Sequence, residues 1–439
     1  MTPRFLSVLA LCALALPAVR GDDWPQWMGP KRDNEWRETG IIDKFPAGGP
    51  KVLWRAPVNA GYSGPAVSGG KVYVTDRVLA KGAANPDDPF DTKVKINSTE
   101  RVLCLDAKTG KELWKHEYEC PYQISFPAGP RCTPLVSDGK VYTLGAMGDL
   151  HCFDADSGKI VWKVDFKVAY KAKPATWGFA AHPVLDGKKL ITLAGGEGAH
   201  VVALDKDTGK EIWKSGTQAE TGYSPVMFTE AGGKRQMVVA SPKAVYALNP
   251  ENGEQYWKVP FNADSGCMVM TPMRVGDHLF VGAYNAKSMV LKLAADKPGA
   301  EVVWQNKKGL GLSPVNVQPF LIDNVLYGYD DEGEMFAVEM PSGKRLWHAV
   351  GPVGGEEAQG SATAFMVKNG DRFFFFAETG DLVIGKLTPK GYEEIDRAKL
   401  LDRTEAAFGR KVVWCAPAYA DKKVFVRNGK ELICVDLAK

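Results

Sequence analysis

Apolar residues along this chain come in short runs that Gly, Asp, Pro and Lys interrupt every few positions, and the period-two alternation within the runs predicts strands. Val102–Trp114 (VLCLDAKTGKELW) shows the unit. Branched apolar residues alternate with smaller ones in a strand with a buried setting. Asp106–Lys111 supplies turn chemistry, with Gly110 free to take positive φ. Glu112–Trp114 then restarts an extended run that ends on a large aromatic. The unit predicts a β-hairpin anchored by tryptophan on its outer strand. No stretch carries the 3.6-residue period of an amphipathic helix.

The same pattern recurs along the chain. Units begin at Gly64-Pro65, Thr133-Pro134, His182-Pro183, Ser224-Pro225, Thr271-Pro272, Gln318-Pro319, Ser361 and Ala416-Pro417. Six of them end on Trp114, Trp162, Trp213, Trp257, Trp304 and Trp347, spaced 43 to 51 residues apart. Four antiparallel strands repeated at that period predict an all-β, eight-bladed β-propeller. The seventh unit carries TPKGYEEI where the tryptophan is expected, and the eighth stops after ELICVDL without an outer strand. Lys51–Val58 (KVLWRAPV) matches the missing strand. Pairing residues 51–58 with the last unit closes the ring and removes an exposed sheet edge.

The first 21 residues stand apart. Arg4 precedes an apolar run, Phe5–Ala18, too short to span a bilayer, and small residues at Val19 and Gly21 suit cleavage, so residues 1–21 read as a secretory signal peptide. Residues 22–439 are then one propeller domain, exported to the periplasm or secreted. Bulky Leu11 before Cys12 argues against a lipid anchor there. Removing the leader takes two of the 55 basic residues and no acidic one, leaving 53 against 52. A chain so near neutrality has no electrostatic reason to seek nucleic acid or anionic lipid. No later segment is apolar and long enough to span a membrane, and a monomer is expected.

The recurring Asp-x-x-Thr-Gly-Lys-x-x-Trp, written at Asp106–Trp114 and Asp205–Trp213 and with Ser157 for Thr at Asp154–Trp162, resembles the tryptophan-docking motif of the pyrroloquinoline-quinone repeat family. Asp23–Pro30 (DWPQWMGP) is similar to the opening of secreted quinoprotein-like propellers. The resemblance implies one of two roles. Quinoprotein alcohol dehydrogenases bind pyrroloquinoline quinone with calcium, whereas the propeller lipoprotein of the outer-membrane assembly machinery is not an enzyme. The docking motif is structural in both. The dehydrogenases carry two adjacent cysteines beside the quinone, and this chain has no Cys-Cys pair. Their calcium ligands and Asp base find no matched positions either. No HExxH, P-loop or GxSxG motif is present. The reading is therefore a non-catalytic scaffold for an unidentified protein or small-molecule ligand, with no cofactor or metal. A quinone-dependent alcohol or sugar dehydrogenase with a divergent site is the alternative.

Seven cysteines follow the leader. Cys104, Cys152 and Cys434 take a place that other units give to Ala203 and Ala247, so that position wants a small buried side chain. Cys120 and Cys132 bracket PYQISFPAGPR, where a disulfide would staple the loop. The A–B and most C–D turns are short, and long segments (78–100, 115–131, 163–181 and 396–415) gather on the other face, where binding belongs. That face carries Arg131, Trp177, His182, Glu197 and Tyr223 as candidate ligand contacts; alternatively Arg131 and Glu197 pair with each other. Thr133, Ser224, Thr271, Gln318 and Ser361 stand at the entrances of the innermost strands. They either ring the central channel or cap their own loops.

Overall fold

The computed structural model describes residues 22–218 and 220–439. The expectation of a signal peptide over 1–21 lies outside them. Eight four-stranded antiparallel sheets form the blades of a β-propeller. Blades 1 to 7 start at Ala66, Leu135, Val184, Met227, Met273, Phe320 and Ala364, each running in chain order from the inner strand to the outer. Blade 8 takes three strands from the C-terminus, and its outer strand is Val52–Pro57, hydrogen-bonded along Glu431–Asp436 with Trp54 opposite Cys434. The ring closes as the repeat count requires, and every blade has its four strands.

The repeat motif works between blades. Trp54, Trp114 and Trp162 donate their indole N–H to the carbonyls of Ala107, Ala155 and Lys206, in the C–D turn of the following blade, at 2.9, 3.1 and 2.9 Å. Each ring also lies on that turn's glycine. Gly110 has φ +72°, and a Cβ there would stand 2.6 Å from the Trp54 ring. The motif Asp builds the turn: the Asp106 carboxylate accepts from the Thr109 backbone N–H at 2.8 Å and its hydroxyl at 2.7 Å. Cys104, Cys152, Ala203 and Cys434 stand directly opposite a docking tryptophan on the adjacent strand, which explains the demand for a small side chain. Blade 5 breaks the pattern. It has Ala294–Gly299 in place of the motif turn, and Trp257 donates instead to Gln236 Oε1 in its own blade at 2.7 Å.

The disulfide considered from the cysteine spacing is not formed. All seven cysteines among the described residues are free and buried, so no disulfide joins Cys120 and Cys132. The Cys120 thiol lies 3.9 Å from Asp149 Oδ2 instead, and Cys132 packs in the core between blades 2 and 3. The long segments carry secondary structure of their own. Strands extend into them to Leu79 and from Ser98, and residues 396–415 hold an extra hairpin, Glu405–Ala407 with Arg410–Val412.

The segment before the closing strand has a role that the pattern did not disclose. Trp24 pairs with Val67 of blade 1, Glu35 pairs with Lys368 of blade 7, and Ile41 pairs with Ala438 after blade 8. Between these points it crosses the short-turn face and covers the channel there, with Trp24, Trp36 and Ile41 buried in the core of blades 1, 7 and 8.

Candidate functional site

A cavity of about 210 Å³ lies in the channel. Its walls come from the loops entering the inner strands, from Phe90 in blade 1, and from the hairpin at 405–412. Trp27 of the N-terminal segment reaches up the channel and completes the lining. With the short-turn face covered, the cavity opens among the long loops.

The lining is aromatic. Trp27, Tyr62, Phe90, Phe126, Trp177, Tyr223, Phe365, Phe408 and Trp414 all contribute. At the mouth Phe90 meets Phe126 edge-on at 5.0 Å, and Phe408 packs on Phe126 and Trp414 at 5.7 and 6.1 Å. Phe90 and Phe408 remain 47% and 51% exposed. Both Phe126 (φ 50°) and Phe408 (φ 49°) hold a left-handed backbone that a bulky residue enters only when its surroundings enforce it.

Those surroundings can be traced. Arg131 donates to the carbonyls of Ser125 (3.0 Å), Phe126 (2.7 Å) and Gly129. Arg77 donates to the Pro127 carbonyl and stacks over Tyr122. Two guanidinium groups thus turn the loop's carbonyls inward and fix Phe126. The hairpin bearing Phe408 is held by Glu378, whose buried carboxylate takes Arg410 Nε at 2.7 Å and Trp414 Nε1 at 2.8 Å.

Of the residues expected from sequence, Arg131, Trp177, His182, Tyr223 and Thr133 do line this one cavity. Their roles differ from expectation. Arg131 clamps its own loop and stacks on Tyr62, rather than offering a free fork to a ligand. Tyr223 accepts the Trp177 backbone N–H at 3.2 Å and meets its ring edge-on. His182 stacks on Trp27 at 4.6 Å with 12° between planes, and its Nε2 is buried with no hydrogen-bond partner. Burial, with the Arg32 charge adding to it, pulls the His182 imidazole down to about 3, so it is neutral at physiological pH. Glu197 is exposed and outside the lining, and no ion pair joins it to Arg131 among the described residues.

The polar ring is not a continuous channel lining. Ser224 donates to the Met270 carbonyl at 2.7 Å, and Gln318 bonds both the backbone N–H and the carbonyl of Thr271 at 2.8 and 3.1 Å. These residues stitch the entrances of adjacent blades together, an arrangement neither expectation anticipated. Thr271 Oγ1 is buried without a partner, and Ser361 sits at φ 59° outside the cavity. Only Thr133 of the five faces the cavity. Asn316, two positions before Gln318, lines it as well and makes a single long bond, 3.4 Å to the Ser361 carbonyl. Asn316 and most of the aromatic lining went unread because each sits in a loop with no repeat to mark it. A density of aromatics in otherwise polar loops was the available signal.

Among the described residues no three His, Cys, Asp or Glu side chains converge as a metal site requires, and no helix is long and apolar enough to cross a membrane. The fold and cavity together define a closed eight-bladed propeller with a loop-side pocket. Residues 98–294 and 243–439 match the family model described as outer membrane protein assembly factor BamB, and the chain belongs to this family of pyrroloquinoline-quinone-like propellers. The outer membrane protein assembly factor BamB of Yersinia pestis is 21% identical over a match covering 47% of this chain and 64% of that protein. The chain thus spans under two thirds of that relative. Among solved structures, BamB from Moraxella catarrhalis superposes with a TM-score of 0.54 at 14% identity, covering 88% of this chain and 97% of that one. A quinohemoprotein alcohol dehydrogenase from Pseudomonas putida reaches 0.53 at 13% identity, covering 88% and 76%. Both likenesses are of fold.

Proposed function

We propose that the protein is a non-catalytic binding scaffold of the cell envelope or exterior, and that it receives a ligand or a segment of a partner protein on its long-loop face. The carrying observation is the aromatic cavity, covered behind by the N-terminal segment and open only among those loops. Large exposed aromatics over a preformed apolar cavity are what a binding site requires and a monomer's solubility opposes. Family membership supports the reading, since the matched relative is named as an assembly factor. A photo-crosslinking residue in place of Phe408 should yield adducts in the producing cell, while one in place of Lys108 on the short-turn face should not. Equal labelling from both, or labelling from Lys108 alone, would remove the support for this face.

The quinone-dependent reading suits the cavity poorly. Pyrroloquinoline quinone carries three carboxylates. The lining offers one guanidinium, Arg131, whose Nη donors are committed to loop carbonyls, and no acidic residue to share a calcium ion. Incubation with the quinone and calcium, followed by dye reduction with alcohols or sugars, should give no turnover. Turnover would reinstate the enzyme.

A further inference from the structure

Three features of the cavity constrain what it holds. Its walls are rings, so the occupant presents flat apolar surface. Its lining contains no carboxylate and only one cation, already engaged by carbonyls, while the Arg32 guanidinium over Trp27 stands outside the lining, so an uncharged occupant fits best. Its remaining polar groups are neutral, among them the Thr133 hydroxyl and the Asn316 amide with its one long bond, while His182 contributes to the wall with its Nε2 buried. A polar group left weakly partnered in an apolar cavity is costly, and a ligand atom that bonds it recovers that cost. Trp27, stacked on His182, puts a flat surface beside these polar groups.

We infer that the cavity holds the ring of an uncharged phenol, packed among the aromatic walls with its hydroxyl bonded by the neutral groups of Thr133 and Asn316. This rests on the reading of the long-loop face as the binding face. A phenol both donates and accepts, which suits a hydroxyl and an amide at once. A free phenolic molecule and a tyrosine at the tip of a partner's loop offer the same chemistry.

Titration calorimetry of the purified protein with p-cresol, toluene, benzoate and N-acetyl-tyrosinamide tests the inference. p-Cresol should bind about tenfold more tightly than toluene, the worth of one net hydrogen bond. Benzoate should bind more weakly than p-cresol. Asn316→Leu and Thr133→Val should each erase the preference for p-cresol while toluene still binds, which separates lost recognition from a collapsed cavity. Thr271→Val, outside the lining, should leave all affinities unchanged. Binding of p-cresol alone identifies a free molecule as the source, and tighter binding of N-acetyl-tyrosinamide identifies a tyrosine side chain. Equal affinity for p-cresol and toluene, tighter binding of benzoate, or no binding by any probe would overturn the inference. Crosslinking from the Phe408 position uses no small probe, so the scaffold reading stands or falls separately.

Discussion

His200 is fully buried. Its Nε2 lies 2.8 Å from the Thr221 carbonyl and must donate there, so Nδ1 accepts from the Tyr246 hydroxyl in the neutral tautomer. Burial lowers the imidazole to about 4. The unfolded chain, near 6.5, therefore binds a proton that the folded chain refuses between those values. Stability is complete above about pH 6.5 and falls as the pH drops toward 4, by about 3 kcal/mol from this residue. Chemical denaturation at pH 7 and pH 4.5 should show the loss, and His200→Gln should reduce the difference between the two. An unchanged difference would mean that His200 does not titrate as argued. The cysteines are as easily checked. All seven among the described residues are buried thiols, and burial lifts Cys104, Cys152 and Cys434 to about 12. A thiol reagent should label them only after unfolding, and a reductant should leave the melting temperature unmoved.

Elements are held by what passes between blades. Gly158 has φ +69°, and a Cβ there would stand 2.5 Å from the Trp114 ring. Gly158→Ala thus combines a disfavoured backbone with displacement of the docking ring, and should cost about 2 kcal/mol or more. Trp114→Ala removes the ring itself and the shortest of the bonds to the Ala155 carbonyl, which also accepts from Tyr73 and Lys71. It should cost about 3–5 kcal/mol. Trp257 makes the informative comparison. It has the same place in the repeat, yet it bonds Gln236 of its own blade. Gln236→Ala should therefore destabilise the protein, whereas no such dependence is expected for Trp114. Denaturant titration of the variants reads all of these effects, and a Gly158→Ala protein as stable as the parent would refute the docking argument.

At the scale of the molecule, residues 22–58 do two things: Val52–Pro57 completes blade 8, and the preceding segment covers the channel. Their deletion leaves the edge of Glu431–Asp436 unpaired and strips Trp24, Trp36 and Ile41 from a shared core. Aggregation or a large fall in melting temperature is expected, and a truncated protein that melts like the full chain would contradict closure through this strand. Replacing Trp27 alone separates the two roles. Trp27→Ala enlarges the cavity without touching the closing strand, so ring binding should weaken far more than stability does.

Blade number, strand order and the closing strand were legible in the sequence, because each depends on a pattern that repeats. Period-two burial, an Asp-built turn, a glycine under a tryptophan and a small residue opposite it are local demands that every blade makes again. The face that carries the cavity was legible too, from loop length, and with it Arg131, Trp177, His182, Tyr223 and Thr133 as neighbours. What those residues do was settled only in three dimensions. Arg131 looked free because its partners are backbone carbonyls, which every sequence contains. The cysteine spacing permitted a disulfide that the fold does not make. The ring at the strand entrances became a set of ties between blades, since hydrogen bonds over 46 or 47 residues leave no mark on local sequence. Trp27 lies far from His182 in the chain and stacks on it only because the N-terminal segment crosses the channel. Repeated local chemistry determined the propeller, and the single long-range crossings of a closed ring decided its cavity.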